Sequence, residues 1–140
     1  MLAPWLAEIT GTLDRGSAIF IDYGYAGGAF YAAQRRAGTL RCHFRHRAHD
    51  DALLWPGLQD ITASVDFDAL GAASAACGLR PEPIASQAQF LIAHGLEAVF
   101  AGAHAEAGDE IARYRLAQQV KQLTLPGQMG DAFGVAVVRR

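Results

Sequence analysis

Lysine is nearly missing from this 140-residue chain: it occurs once, at Lys121, and the other eleven of the twelve basic residues are arginine. Fourteen acidic residues bring the net charge to −2, which argues against a general polyanion binder, although charge can still be placed unevenly. Cysteine is scarce as well. Cys42 and Cys77 have neither C-x-x-C spacing nor the framework of a secreted disulfide-bonded domain, so a reducing compartment fits. No run approaches the roughly 18 apolar residues of a membrane span, and the first residues lack the basic start of a signal peptide. The expectation is a cytoplasmic protein with no membrane partner. Large core-filling side chains are fewer than the apolar fraction of 51% implies, because 28 positions are alanine. A chain of this length makes one domain, residues 1–140, and buries roughly 68–70% of its unfolded surface, so a thin core is expected.

Leu6, Ile9 and Leu13 at helical spacing predict a short helix over residues 2–13, stopped by Asp14-Arg15-Gly16. The run Ser17-Ala18-Ile19-Phe20-Ile21 reads as a strand of a parallel sheet, buried on both faces and ending at Asp22-Tyr23-Gly24. Residues 25–59 show little periodicity and are broken by Gly27-Gly28, Gly38 and Pro56-Gly57; so long an irregular stretch points to function. Asp66 caps a helix whose buried side is Phe67, Leu70, Ser74 and Cys77, with Gly78 as its left-handed terminator. Residues 79–85 contain Pro81 and Pro83 and can form only an edge strand. Ser86-Gln87-Ala88-Gln89 is a capping box opening a short helix that Gly95 ends. Residues 101–108 read as small and loose, residues 109–123 as a helix with Ala112, Leu116, Val120 and Leu123 on one stripe, and residues 133–138 as a last strand. The order is α/β, with a largely parallel sheet and a helical insertion over residues 86–125. Only three strands are legible, and the first leaves a bare edge that calls for a missing neighbour.

Several motifs carry chemistry. Asp22-Tyr23-Gly24 sits at the carboxyl end of a strand, where ligands of open α/β sheets gather. Gly24, Gly27 and Gly28 do not have the G-x-G-x-x-G spacing of a dinucleotide loop, and the region twenty residues on is basic rather than acidic. Arg35, Arg36, Arg41, Arg45 and Arg47, with His43 and His46, make a local positive field that fits an acidic peptide or a carboxylate better than nucleic acid, since stacking partners are limited to Phe44 and Tyr31. His43, His46 and His49, followed by Asp50 and Asp51, could be a metal tract only on a helix, and Gly38 and Pro56 flank a segment with no helical signal. Asp60, Thr62, Ser64 and Asp66 alternate ahead of the helix, and capping explains only the last of them.

The succession Phe20-Ile21-Asp22-Tyr23-Gly24, Gly38-Thr39-Leu40-Arg41, His46 with Asp50, Pro56-Gly57, Asp60-Ile61-Thr62-Ala63 with Val65-Asp66-Phe67, Ser86-Gln87 with Phe90-Leu91, and Met129-Gly130 with Phe133 resembles the MidA-like methyltransferases. The mitochondrial members of that family assist respiratory complex I assembly. The resemblance implies the carboxyl-terminal half of a Rossmann-like class I sheet, with Ala18–Asp22 as its fifth strand, Asp66–Cys77 as the following helix, and residues 79–85 and 133–138 as the sixth and seventh strands. S-adenosylmethionine (SAM) is the implied cofactor, but the family's glycine-rich loop belongs to an amino-terminal half and no residue for holding the cofactor is identifiable in this sequence.

By the same resemblance, Asp22, Tyr23, Gly24, Arg41, His46, Asp60, Thr62, Asp66 and Gln87 match recurrent polar positions, expected on the substrate side within the irregular segment 25–65 and just beyond it. A guanidine acceptor needs an acidic pocket, for which Asp22 and Asp60 are the candidates; Arg41 or His46 would hold a partner carboxylate. Relatives carry an aromatic near His43. No metal site is implied. The expected partners are a protein substrate carrying an arginine and either a missing amino-terminal half or a second copy of the chain. The implied setting is a bacterial cytoplasm, and the isolated chain is expected to be inactive. The competing expectation is a non-catalytic interaction or assembly module that pairs through the exposed strand and the Arg-rich loop; a metal-dependent enzyme built on the three histidines is the other.

Overall fold

A computed structural model describes residues 2–140. The elements, in order, are α1 (Leu2–Thr10), β1 (Ser17–Tyr25), β2 (Arg41–Phe44), β3 (Arg47–His49), β4 (Asp60–Thr62), β5 (Val65–Asp66), α2 (Phe67–Ala76), β6 (Arg80–Pro81), β7 (Ala85–Ser86), α3 (Gln87–Ala93), α4 (Leu96–Glu106), α5 (Glu110–Thr124), α6 (Met129–Ala132) and β8 (Phe133–Arg139). They form a mixed five-stranded sheet with path order β5-β1-β8-β6, in which β7 also pairs with β8, and a separate three-stranded sheet with order β3-β2-β4.

The α/β architecture is as expected, but the main sheet is not largely parallel. β1 and β8 run antiparallel through seven residue pairs, from Ser17↔Arg139 to Tyr23↔Phe133, and β6 and β7 are antiparallel to β8 as well. Only the contact of β1 with β5 is parallel, at Gly24↔Val65 and Tyr25↔Asp66. The cause is the helical segment α3–α6. It delivers the chain to Phe133 at the same end of the sheet where β1 leaves it, so β8 can only run back. β8 is the central strand, and its residues Val135, Ala136, Val137 and Val138 are all buried. Before Gly24, the outer edge of β1 has no partner strand among the described residues, as the sequence led one to expect.

Burial of β1 differs from expectation. Phe20 packs against the cluster of Leu6, Phe67, Leu70 and Ala136, while Ile19 and Ile21 on the other face are 52% and 50% exposed. β1 is therefore covered on one face only. The core is small, and its centre is Phe67, which is 2% exposed. A Cβ on Gly24 or on Gly134 would run into the Phe67 ring, so the ring lies directly on the backbone of β1 and β8.

Helix α2 follows the sequence reading: the Asp66 side chain accepts from Ala69 N at 3.0 Å, Phe67, Leu70 and Ser74 are buried, and Gly78 has φ 75°. The Ser86/Gln89 capping box is present, and Gly95 has φ 91°. Residues 79–85 give two short strands, β6 and β7, on the edge as the prolines required, bridged by Glu82 N donating to Val137 O at 2.8 Å. Helix α1 ends at Thr10, one residue before Gly11, rather than at the later Asp-Arg-Gly stop. The loose segment around residue 101 is in fact helix α4, invisible to periodicity because none of its residues is buried. On α5 the stripe is only half-buried at Leu116, Val120 and Leu123, and Ala112 is exposed. At the far end, Arg140 N donates to Gly16 O at 3.0 Å, and the Arg140 guanidinium donates to Thr10 O and Leu13 O, the open carbonyls after α1.

The Phe67 ring sets the first prediction. In urea unfolding, Phe67→Ala should cost about 3–5 kcal/mol, and Gly134→Ala about 1–3 kcal/mol, because the new methyl displaces the ring.

Candidate functional site

Beyond β1 the chain is tied down by the start of α2. Gly27 N and Gly28 N donate to the two carboxylate oxygens of Asp68 at 3.2 and 2.9 Å, and Tyr31 Oη donates to Asp66 Oδ2 at 2.9 Å. Both glycines have positive φ, which suits residues without a Cβ. The Gly28 and Gly27 amides hold the Asp68 carboxyl below its ordinary value of 3.8, and the hydrogen bond to Asp66 raises the Tyr31 phenol. Arg35 completes the clamp, with its guanidinium 3.9 Å from the centre of the Tyr25 ring and its Nε donating to Ala29 O at 3.0 Å.

This anchored loop leads into the small sheet, which lies within the segment expected to be irregular. Its strands are three or four residues long, too short for alternation to stand out. β2 pairs with β3 through Cys42↔His49 and Phe44↔Arg47, and with β4 through Arg41↔Thr62 and His43↔Asp60. Alternation then sorts the residues onto two faces. One face carries Cys42, which is fully buried, with Phe44 and His49 against Trp55 at ring distances of 4.6 and 5.1 Å. The other carries Arg41, His43, Asp60 and Thr62. Between β2 and β3, Arg45 and His46 have φ 47° and 64°, the left-handed pair of a two-residue hairpin turn. The three histidines therefore share no face: His43 and His49 point to opposite sides and His46 sits in the turn.

A cleft of about 690 Å³ opens where the polar face of this sheet meets the carboxyl end of β1 and helix α6. It brings together four of the residues read from the sequence, Tyr23, Gly24, Arg41 and Thr62. Tyr23 rests on Phe133 at 4.1 Å, Thr62 Oγ1 donates to Arg41 O at 3.3 Å, and Arg41 is ion-paired with Asp50. Asp60 lies on the same sheet face, directly across from His43.

The other candidates lie elsewhere. Asp22 lines a second, largely apolar groove of about 490 Å³ that runs along the bare edge of β1 between Trp5 and Val65. His46 is at the hairpin tip. Asp66 caps α2 and holds Tyr31, and Gln87, 6% exposed, donates to Leu123 O at 3.0 Å. The cleft also contains His43 and Asp131, neither of which the sequence reading placed there. His43 could have been found from its two-residue spacing from Arg41. Asp131 gave no signal, because nothing predicted the short helix that carries it.

The residues present do not make a cofactor pocket by themselves. The one double-glycine turn near β1 has both amides occupied by Asp68, and the groove beside Asp22, which Asp66 also lines, is otherwise apolar.

Ligands of open α/β sheets bind outside the carboxyl ends of strands, and the cleft stands at that end of β1. Residues 1–84 match the family described as "Putative S-adenosyl-L-methionine-dependent methyltransferase", and the chain belongs to that family. It is 32% identical over 118 residues to the mitochondrial protein arginine methyltransferase NDUFAF7 of Rattus norvegicus and equally to that of Mus musculus; the match covers 84% of this chain and 25% of each relative. An uncharacterized protein of Burkholderia thailandensis superposes with a TM-score of 0.86 at 38% identity, over 99% of this chain and 36% of its own. A second structure from that organism, a "likely methyl transferase" bound to S-adenosyl-homocysteine, matches equally well over 35% of its chain. The chain thus spans about a quarter of the length of its mammalian relatives.

The loop anchor is testable by its acid dependence. A lowered carboxyl pKa means that the Asp68 bonds persist below pH 3.8 and are lost as the pH falls through the folded value. The Gly27 and Gly28 amide resonances should therefore shift together only in that acid range, and Asp68→Ala should abolish the titration.

Proposed function

We propose that this chain forms the carboxyl-terminal, acceptor-side part of a SAM-dependent methyltransferase acting on a protein arginine. The observation that carries the reading is the polar cleft at the carboxyl end of β1, next to an edge of β1 that has no partner strand before Gly24 among the described residues. The arginine methyltransferase that the chain resembles supports the acceptor assignment.

In this reading the cofactor is held by polypeptide that pairs with the free edge of β1 and fills the apolar groove beside it, supplied by an amino-terminal half or by a second copy. This chain supplies orientation. A guanidine nitrogen is a poor nucleophile while its lone pair is delocalised, so holding the group in one pose lowers the barrier, and a base is needed only as the proton leaves. Tyr23, Gly24, Arg41 and Thr62 shape the acceptor cleft. Asp60 orients the incoming cation from the next rung of the sheet, and Asp22 faces the completing polypeptide. Asp66 and Gln87 act at one remove, fixing the loop and the helical segment, and His46 presents its imidazole from the hairpin tip. No helix among the described residues is long and apolar enough to cross a membrane, and the likeness to the solved Burkholderia thailandensis structures supports a bacterial setting, for which a cytoplasmic location is our reading.

Calorimetric titration with SAM tests the division of labour. The chain alone should show no saturable binding at micromolar SAM, and binding should appear when a polypeptide carrying the strand and glycine-rich loop is co-purified with it. Specific binding by the chain alone would overturn the incomplete-site reading. Failure of the completed complex to methylate any arginine-bearing protein would overturn the acceptor assignment and favour the pairing module.

A further inference from the structure

Charge in the cleft is arranged across it rather than pooled. On the small-sheet wall stand Arg41, ion-paired with Asp50, and His43, across from Asp60; Arg47 pairs with Phe44 on the other face of that sheet, and the Arg45 guanidinium lies over the Phe44 ring. Asp131 of α6 is the one carboxylate among the described residues lining the cleft. Its Oδ1 accepts from Gly127 N at 2.9 Å, which ties the carboxyl to the turn before α6, and its second oxygen carries no hydrogen bond among the described residues. α6 is itself held in place, because Gly130 is buried with its Cα against the Thr124 backbone, where any side chain would collide. An exposed carboxylate on a fixed support, with an aromatic wall at Tyr23, is suited to a guanidinium, which takes both charge-assisted hydrogen bonds and an aromatic face. On the opposite wall Arg41 keeps its Nε and second Nη without a hydrogen bond among the described residues, and these can take a carboxylate beside that cation.

We infer that Asp131 is the residue that orients the acceptor guanidinium, and that the cleft selects an arginine with acidic neighbours in its peptide, the arginine facing α6 and the acids facing Arg41 and His43. The inference rests on the acceptor reading above and moves its anionic anchor from the sheet to α6. Asp22 lies in the other groove, and Asp60 is opposed by His43, so neither occupies the place that Asp131 does. A single-stranded nucleic acid would also find the Arg41 donors, but it would meet Asp131 unfavourably.

Fluorescence anisotropy on the full chain provides the test, with a labelled synthetic peptide holding one arginine between glutamates. Comparison peptides replace arginine by citrulline, which keeps the shape and removes the charge, or glutamate by glutamine. The chain should bind the arginine peptide about tenfold more tightly than the citrulline peptide. Asp131→Asn, which keeps an Oδ1 acceptor for Gly127 N, should remove that preference while leaving the circular dichroism spectrum unchanged. Arg41→Gln combined with His43→Gln should weaken the glutamate peptide more than the glutamine peptide, and equal weakening of both would overturn the selection for acidic neighbours. Equal binding of arginine and citrulline peptides by the unmodified chain would overturn the inference even if the variants fail to fold. So would discrimination that survives Asp131→Asn, or displacement of the peptide by an equimolar single-stranded oligonucleotide. None of these measurements needs the cofactor. A preference that depends on Asp131, without methyl transfer by the completed complex, would leave the inference standing and remove the enzymatic reading; transfer without the preference would do the reverse.

Discussion

The contact of the Phe67 ring with the bare backbone at Gly24 and Gly134 is the constraint from which the rest of the arrangement follows. Phe67 is the first residue of α2, and its neighbours on either side, Asp66 and Asp68, carry the carboxylates that hold Tyr31 and the Gly27-Gly28 turn. Seating the ring on the sheet therefore fixes the amino end of the helix, the helix end fixes the loop, and the loop fixes where the small sheet rises beside β1. In a core padded by alanine, one aromatic side chain at a strand-to-helix junction places three layers of structure at once. Most of its stabilisation is apolar burial, which is not directional, while the two glycines supply the shape.

Local chemistry was the legible part of the sequence. The Asp66 cap, the Ser86/Gln89 box, Gly78, Gly95 and the proline-limited edge each act within a few residues, and each stands where it was read. The direction of the sheet was not legible, because it depends on where four helices return the chain, and strand composition does not encode that. Helix α4 was missed because it buries nothing, and the small sheet because three-residue strands have no measurable period. The site divides in the same way. Tyr23, Gly24, Arg41 and Thr62 were found because they sit on or beside elements with a sequence signature. Asp131 was lost because its place in the cleft comes from tertiary packing of Gly130 on Thr124.

The two cavities also separate two tasks that the sequence had merged. Alternation along β2 and β4 assigns the arginine and histidine to one face and the cysteine, aromatic and isoleucine to the other, so one sheet presents a wet wall and a dry one. The groove by Asp22 is apolar and follows a strand edge, which suits polypeptide. The cleft by Asp131 is polar and lies at a strand end, which suits a side chain entering from solvent. Assigning Asp22 and Asp60 one common role treated these as a single place.

Arg140 closes the ladder at the end of β1 and β8 opposite the cleft, by its backbone to Gly16 and by its guanidinium to the carbonyls behind α1. Fraying from that terminus must break the rungs one at a time, and the rung that supports the cleft, Tyr23↔Phe133, is the last to open. Seven strand residues at about 3.4 Å each put some 20 Å of hydrogen-bonded backbone between the Arg140 contacts and the working end of the sheet. The strand pair thus behaves as a mechanical buffer, which keeps a disturbance at the Arg140 end from reaching the geometry at the cleft.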